Sequence, residues 1–162
     1  MRKPSLNYRQ LLYLVIVAVA VALDLVSKHL AVKYLKPIGT FKIIDGVFQL
    51  SYRQNTGAAF SILEGQQLFF IITTGILLLI IAYLLVANVV QSFPAACALA
   101  CVFGGGVGNL IDRINTGYVV DMFDFCLINF AVFNVADIFI TCGSILFILI
   151  YIFYKGDMLK WK

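Results

Sequence analysis

The stretch from Gly65 to Ile111 reads GQQLFFIITTGILLLIIAYLLVANVVQSFPAACALACVFGGGVGNLI. None of its 47 residues is Asp, Glu, Lys or Arg. A helix needs roughly 20 residues to cross the hydrocarbon core of a bilayer, so this stretch is too long for one span. A polar kink from Asn88 to Pro94 divides it. The sequence therefore predicts two membrane-spanning helices, at about 66–87 and 94–112, joined by a short turn.

Two further apolar stretches flank this pair, at about 11–30 and 134–154. Only 12% of all residues are charged and the mean hydropathy is +0.99, whereas soluble domains carry about 25% charged residues. We therefore expect residues 1–162 to form a single α-helical membrane domain with four transmembrane helices and both termini on the same side. An alternative reading of the first span is a cleaved signal peptide, because basic residues precede it and AVA at 18–20 resembles a cleavage site.

The distribution of Lys and Arg leaves the orientation of the chain open. Six basic residues fall on the side of the termini and six on the opposite side, so the positive-inside rule does not decide between them. The net charge is +5 on the side of the termini and −1 on the other side. This difference favours cytoplasmic termini and places nearly all the acidic residues on the opposite side.

The segment 40–63, after the first span, has the pattern of a small surface sheet. Asp45-Gly46 lies between two apolar runs, which is typical of a β-hairpin. Apolar and polar residues then alternate from Phe48 to Arg53, as they do in a strand with one apolar face. Before this segment, Lys28, Lys33 and Lys36 are spaced among apolar residues. This pattern is typical of a solvated helix end, or of lysine side chains that extend along the lipid towards the headgroups.

Polar residues are concentrated where the third span ends, in GGGVGNLIDR from Gly104 to Arg113. Gly104 and Gly108 form a GxxxG pair, which is typical of close helix packing in lipid. Gly105, Asn109 and Asp112 share one helix face, with Arg113 beside it. Polar groups at this depth usually face the interior of a bundle or a watery cavity.

Three carboxylates lie in the apolar stretch GYVVDMFDFCLINFAVFNVADIFI, residues 117–140. Asp137 follows Asn134 by three residues, which is the spacing of a helix cap, so it could simply stabilise the start of the fourth helix. Asp121 and Asp124 could each be satisfied by Arg113 or by backbone N–H groups, and Asp124 could equally point to water. No helix start follows Asp121 at once, so a cap does not explain it. The four-span arrangement brings several polar residues to one membrane edge: Asn55, Asn109, Asp112, Arg113, Asp121 and Asp137.

The side chains available restrict the chemistry. His29 is the only histidine, and the four cysteines lack the spacing of a zinc site or a disulfide framework, which argues against a His-based triad, a metal and a cofactor. Two close carboxyl groups cannot both ionise cheaply, so they share one proton. Such a pair can activate water for attack on a carbonyl.

The chain resembles the lipoprotein signal peptidases, the bacterial signal peptidase II family. The motifs that carry the resemblance occur in order: Asp24 with Lys28, NTGAAF from Asn55, GNLIDR from Gly108, GYVVD from Gly117 and FNVAD from Phe133. The resemblance implies an aspartic endopeptidase of the bacterial cytoplasmic membrane. It also implies cytoplasmic termini, a small β-sheet at the outer membrane surface, and an active site at the outer leaflet.

The resemblance also implies a substrate and roles for individual residues. The substrate would be a prolipoprotein with a diacylglyceryl group on its lipobox Cys, cleaved just before that Cys. We expect the cyclic peptide globomycin to inhibit the protein, membrane lipid to contact it, and no nucleic acid to bind. We also expect a monomer. Asp121 and Asp137 would be catalytic; the supporting residues would be Asp24, Lys28, Asn55, Gly57, Asn109, Asp112, Arg113 and Asn134.

Two other classes of function fit four spans with intramembrane acids. A proton-coupled transporter or channel subunit would use Asp121 and Asp137 to relay ions, but its acids should be spread through the depth of the bundle. A scaffold protein would rely on its GxxxG contacts and would leave Asp121 without a role.

Overall fold

The computed structural model describes residues 7–58, 62–128, 130–153 and 158–160. Four of its helices are long and apolar enough to cross a membrane, which confirms the predicted fold class. They are α1 (Tyr8–Leu30), α2 (Gln67–Val86), α3 (Phe93–Thr116) and α4 (Val135–Phe153). A π-helical turn, Ala31–Leu35, continues α1.

Helix α3 is the centre of the bundle and packs against each of the other three helices. Three consecutive glycines make this possible because each faces a different neighbour. A Cβ atom at Gly104 would meet Ala20 of α1, one at Gly105 would meet the carbonyl of Ala136 in α4, and one at Gly106 would meet Leu78 of α2. The predicted close packing at Gly104 and Gly108 is confirmed, since both face α1.

The described N- and C-terminal residues lie at the same end of the bundle as the α2–α3 turn. The amide of Gln91 donates to the carbonyl of Met158 over 2.8 Å, and the amide of Lys160 donates to the carbonyl of Val89 over 2.8 Å. At the start of α1, the Gln10 side chain donates to the carbonyl of Val86. The described N- and C-terminal residues are therefore on one side of the bundle.

A three-stranded antiparallel sheet covers the opposite end. Its strands are β1 (Thr40–Ile44), β2 (Phe48–Asn55) and β3 (Val119–Asp124), in the order β1-β2-β3. The predicted hairpin is confirmed, and Gly46 in its turn has a positive φ of 70°, which glycine adopts at little cost. The third strand was not predicted from the sequence.

The sheet is attached to the bundle through the end of α1 and the end of α3. Ala31 and Leu35 of the π-helical turn pack against Val120 and Met122 of β3. Gly117 ends α3 with a positive φ of 84°, so the chain reverses and enters β3 after two residues. This reversal places β3 directly above the polar end of the bundle.

Replacing Gly105 with Ala should destabilise the bundle. The new methyl group would meet the Ala136 carbonyl and Ile140, and α3 and α4 would have to separate. We expect a loss of about 1–3 kcal/mol in the free energy of unfolding, measured by unfolding in detergent micelles.

The matched control is Gly75→Ala in α2, where no atom lies within 4 Å of the new methyl group. It should be neutral or up to about 1 kcal/mol more stable, because Ala favours helix more than Gly. Wild-type stability for Gly105→Ala would contradict this account of the α3–α4 contact.

Candidate active site

Asp121 lies in the middle of β3 and its side chain points into the molecule, with 3% of its surface exposed. Both carboxylate oxygens accept hydrogen bonds from side-chain amides. Oδ2 accepts from Asn55 Nδ2 over 2.9 Å, and Oδ1 accepts from Asn134 Nδ2 over 2.6 Å. Asn55 ends the neighbouring strand β2, so the pairing of β2 with β3 brings this donor to Asp121.

Asp137 lies in the first turn of α4, and its hydrogen bonds with Asn134 are reciprocal. The Asp137 amide donates to Asn134 Oδ1 over 3.0 Å, and the Asn134 amide donates to Asp137 Oδ2 over 3.1 Å. This is the capping arrangement that the spacing predicted. Asp137 Oδ1 also accepts a hydrogen bond from Asn109 Nδ2 over 2.8 Å, so the carboxylate faces α3 as well as capping its own helix.

Asn134 is brought to Asp121 by the segment that precedes α4. The backbone of Phe133 pairs with that of Phe123 in β3, with hydrogen bonds of 2.8 and 3.1 Å. Asn134 follows directly and is fully buried. Its side chain donates to the Asp121 carboxylate and its backbone amide donates to the Asp137 carboxylate, so this one residue joins both carboxylates.

The environment of Asp121 favours its protonated form. Burial is the main reason why the pKa of this carboxyl group is raised to about 6, and the negative charge of Asp137 contributes to the increase, against the hydrogen bond from Asn55. The hydrogen bond from Asn134 and the charge of Lys28 partly oppose the increase. Asp137 is less deeply buried than Asp121.

Arg113 holds the loop that follows β2. Its Nη2 donates to the carbonyl of Gly57 over 3.1 Å, and its guanidinium lies 5.0 Å from the ring centre of Phe70 in α2. The Gly57 amide donates to Asn55 Oδ1 over 2.9 Å. Arg113 therefore stabilises the turn that orients Asn55 towards Asp121.

Asp24, Lys28 and Asp112 form a buried ion cluster beside this network. Lys28 Nζ lies 2.7 Å from Asp24 Oδ2 and 2.9 Å from Asp112 Oδ2. Both interpretations of Lys28, as solvated or as reaching the lipid headgroups, were wrong, because the residue is 3% exposed and its charge is paired inside the bundle. Lys33 and Lys36, beyond the end of α1, are exposed.

Asp124 lies at the far end of β3 and does not join the network. Its side chain is partly exposed, and its Oδ2 accepts hydrogen bonds of 2.8 Å from both Gln49 and Ser51. Partial burial opposes ionisation, but these hydrogen bonds prevail and lower the pKa of Asp124 below its usual value. Its chemistry is therefore that of an ionised structural carboxylate.

A cavity of about 540 Å³ opens onto Asp121 and Asp137. Asn55, Asn109 and Arg113 also line it, so it brings together five of the predicted site residues. Its walls include Phe70 and Thr74 of α2, and Ile138 and Cys142 of α4. The volume is that of a typical ligand site.

The remaining predicted residues lie behind this cavity and support it. Asn134 and the ion cluster contact the lining residues, and Gly57 accepts the hydrogen bond from Arg113. The sequence analysis did not identify Phe70, Thr74 or Cys142 as lining residues, because they lie in uninterrupted apolar spans. Chemically, the cavity has room for a water molecule and an extended peptide bond beside the carboxylates of Asp121 and Asp137.

The family profile and the related proteins that match this chain indicate the same family. The profile of the family described as Signal peptidase (SPase) II matches residues 16–153. A lipoprotein signal peptidase of Caldanaerobacter subterraneus subsp. tengcongensis is 44% identical over 143 residues, which cover 88% of this chain and 97% of the relative. One of Streptococcus thermophilus is 45% identical over 130 residues, 80% of this chain and 85% of the relative.

Two solved structures, both described as bacterial membrane enzymes studied by the in meso method, share the fold. One superposes with a TM-score of 0.80 at 31% identity and covers 93% of both chains. The other has a TM-score of 0.77 at 33% identity and covers 89% of this chain and 94% of its own. With the family match over most of its length, this four-helix membrane protein belongs to the signal peptidase II family.

Proposed function

We propose that this signal peptidase is an aspartic endopeptidase in which Asp121 and Asp137 form the catalytic pair. Its substrate would be a diacylglyceryl-modified prolipoprotein, cleaved just before the lipidated Cys of the lipobox. The observation that carries the proposal is that both carboxylates line one cavity and are joined through Asn134. Peptidase activity on lipoprotein signal peptides follows from the family; the aspartic mechanism and the lipid modification are the proposed steps.

The different burial of the two carboxyl groups suggests how they divide the work. Asp121, whose pKa is raised to about 6 by burial, retains the shared proton, and Asp137 is ionised. Asp121 then acts as the acid and Asp137 as the base in the first step.

In that step Asp137 accepts a proton from a water molecule while the water oxygen bonds to the scissile carbonyl carbon. Asp121 gives its proton to the carbonyl oxygen, and a neutral tetrahedral intermediate forms. The intermediate then collapses: Asp137 passes its proton to the leaving nitrogen, the C–N bond breaks, and a hydroxyl proton returns to Asp121. The two products are the signal peptide and the lipoprotein with a free amino group on its Cys.

The cavity suits a substrate that is held in the membrane. Its walls between α2 and α4 are mainly apolar, and both helices expose most of their side chains to the surrounding lipid. A signal-peptide helix and acyl chains could therefore remain in lipid while the cleavage site reaches Asp121. In the proposed orientation the termini are cytoplasmic and the sheet lies at the outer leaflet. One chain supplies both carboxylates, so we propose a monomer, with globomycin competing for the same cavity.

Removing either catalytic carboxylate should abolish cleavage. Asp121→Asn and Asp137→Asn should both fold, insert and still bind globomycin, because the amide keeps the shape of the side chain. Neither variant can activate water, so cleavage of a diacylglyceryl prolipoprotein in detergent should be below detection.

The matched control is Asp124→Asn, three residues further along the same strand, which should retain turnover close to that of the wild type. Turnover by either variant of the pair, or an inactive control, would refute the assignment. An unlipidated prolipoprotein supplied to the wild type tests the lipid requirement, and its cleavage at the same rate would refute that part.

The buried carboxyl group of Asp121 should also give stability a specific pH dependence. Between about pH 4 and pH 6 the folded protein binds a proton at Asp121 that the unfolded chain has already released, so stability falls as the pH rises through this window. The decrease in the free energy of unfolding that is due to Asp121 should be about 3 kcal/mol. The variant Asp121→Asn should not show this decrease.

Unfolding in detergent micelles at several pH values from about 4 to 7.5 measures this difference. Asp124→Asn should keep the wild-type dependence in the window, because the pKa of Asp124 is lowered rather than raised. If the free energy of unfolding changes with pH equally in the wild type and in Asp121→Asn, Asp121 does not retain its proton in this window.

Filling the cavity between α2 and α4 should weaken substrate binding. Cys142 is exposed and lines the cavity, so Cys142→Trp would occupy the space proposed for the lipid-bearing substrate. We expect KM for a diacylglyceryl peptide to rise about tenfold, which corresponds to about 1.4 kcal/mol of binding. Leu149→Trp, exposed two turns further along α4, is the control and should leave KM unchanged. An unchanged KM for Cys142→Trp would place the substrate elsewhere.

A further inference from the structure

The ammonium group of Lys28 makes three polar contacts inside the bundle. Its Nζ lies 2.7 Å from Asp24 Oδ2 and 2.9 Å from Asp112 Oδ2, and it donates a hydrogen bond of 2.9 Å to Asn109 Oδ1. None of these contacts involves a reacting atom in the proposed mechanism. Placing a cation and two carboxylates at this depth is costly, which raises the question of what the cluster does.

The two carboxylates of the cluster hold the backbone immediately before each catalytic residue. Asp24 Oδ1 accepts a hydrogen bond of 2.9 Å from the amide of Ala136, which precedes Asp137. Asp112 Oδ2 accepts a hydrogen bond of 3.2 Å from the amide of Val120, which precedes Asp121. Because Lys28 joins these carboxylates, it links strand β3 to the start of α4.

The hydrogen bond from Lys28 to Asn109 fixes the orientation of the Asn109 side-chain amide. Asn109 Oδ1 accepts from Lys28 and, over 3.2 Å, from Asn134 Nδ2, while its own Nδ2 donates to Asp137. If the amide were rotated by 180°, its NH2 group would face an ammonium group that has no acceptor. Its oxygen would face the carboxylate of Asp137. Only the observed orientation is compatible with Lys28 in place.

We propose that Lys28 is a positioning residue for the peptidase reaction, one that sets the relative placement of Asp121 and Asp137 and the direction of the Asn109 hydrogen bond. This inference rests on the proposed function of the two carboxylates. Lys28 acts through Asn109, Asp24 and Asp112 and does not contact the substrate. Its effect is therefore on the chemical step and not on substrate binding.

A purely structural role makes a different prediction. Buried ion clusters often contribute little net stability, and a cluster that served only folding would change the amount of active enzyme. It would leave the pH dependence and kcat of each folded molecule as they are. A positioning role changes both, because Asp137 loses a hydrogen-bond donor and the carboxylates lose a nearby cation.

The direction of the pH change follows from the charges around the pair. The charged side chains around Asp121 come from each element packed against it. They are Lys28, Arg53, Asp112, Arg113 and Asp137. Loss of Lys28 removes a positive charge that lowers the pKa of Asp121. It also frees the Asn109 amide to turn away from Asp137. Loss of the Lys28 charge favours the protonated form of Asp121, so the activity profile should move to higher pH.

The test uses two variants of the full chain. Lys28→Met removes the charge and keeps the length of the side chain. Lys28→Met combined with Asp24→Asn also neutralises the most deeply buried partner, keeps an acceptor for the Ala136 amide and restores the net charge of the cluster. Lys33→Met, an exposed lysine five residues further on, is the matched control. Turnover of a diacylglyceryl peptide is measured against pH, with the folded fraction determined by unfolding in detergent.

For the Lys28 variants we expect kcat per folded molecule to fall about 10- to 100-fold, with little change in KM and a profile shifted to higher pH. Wild-type kcat and an unmoved profile would overturn the proposal. So would failure of both variants to fold, because Lys28 would then serve folding alone. If the wild type does not cleave, or if Asp121→Asn and Asp137→Asn do, the proposed function itself fails, and this inference fails with it.

Discussion

The close approach of α3 to three other helices is the constraint on which the rest of the structure depends. Gly104, Gly105 and Gly106 are consecutive, and successive helical residues point about 100° apart, so each faces a different helix. Without side chains at these positions, α1, α2 and α4 can all reach the backbone of α3. The polar residues that follow in α3 then lie within hydrogen-bonding distance of their partners. Asn109 reaches Asp137 one turn after Gly105, and the side chain of Asp24 lies directly against Gly108.

This packing explains how a membrane protein accommodates so many buried polar groups. Ionised side chains in a bilayer are expensive unless each is fully paired. Here Lys28 pairs with both Asp24 and Asp112, and each of these carboxylates also accepts a hydrogen bond from the backbone. Such clusters contribute more to a defined geometry than to stability. This geometry is the relative placement of β3 and the start of α4. Strand β3 carries Asp121 and the first turn of α4 carries Asp137, the two proposed catalytic residues.

The sequence predicted the features that depend on neighbouring residues. Span lengths, the Asp45-Gly46 hairpin and the Asn134–Asp137 cap all follow from local spacing. The strand from Val119 to Asp124 was missed because both of its faces are covered, so its residues do not alternate, although Val119 and Val120 directly after a helix end were a usable signal. The burial of Lys28 and the partners of Asp124 depend on contacts with distant segments, which spacing along one chain does not reveal.

The position of the carboxylates also separates the proposed hydrolysis from ion transport. A proton relay across the bilayer needs titratable groups at successive depths. The stretches Gly65–Ile111 and Ile138–Tyr154 contain no Asp, Glu, His, Lys or Arg, and the described acids of the site gather beneath the sheet. Hydrolysis of a membrane-held peptide has a different requirement, because water and an apolar substrate must reach the same atoms. The exposed polar residues Arg53 and Gln54, near the end of β2, pair with β3 at Asp121 and Val120 on one side of the site. The gap between α2 and α4 opens on the other side. The junction of these two environments is the place where a carboxylate that retains its proton can meet both reactants.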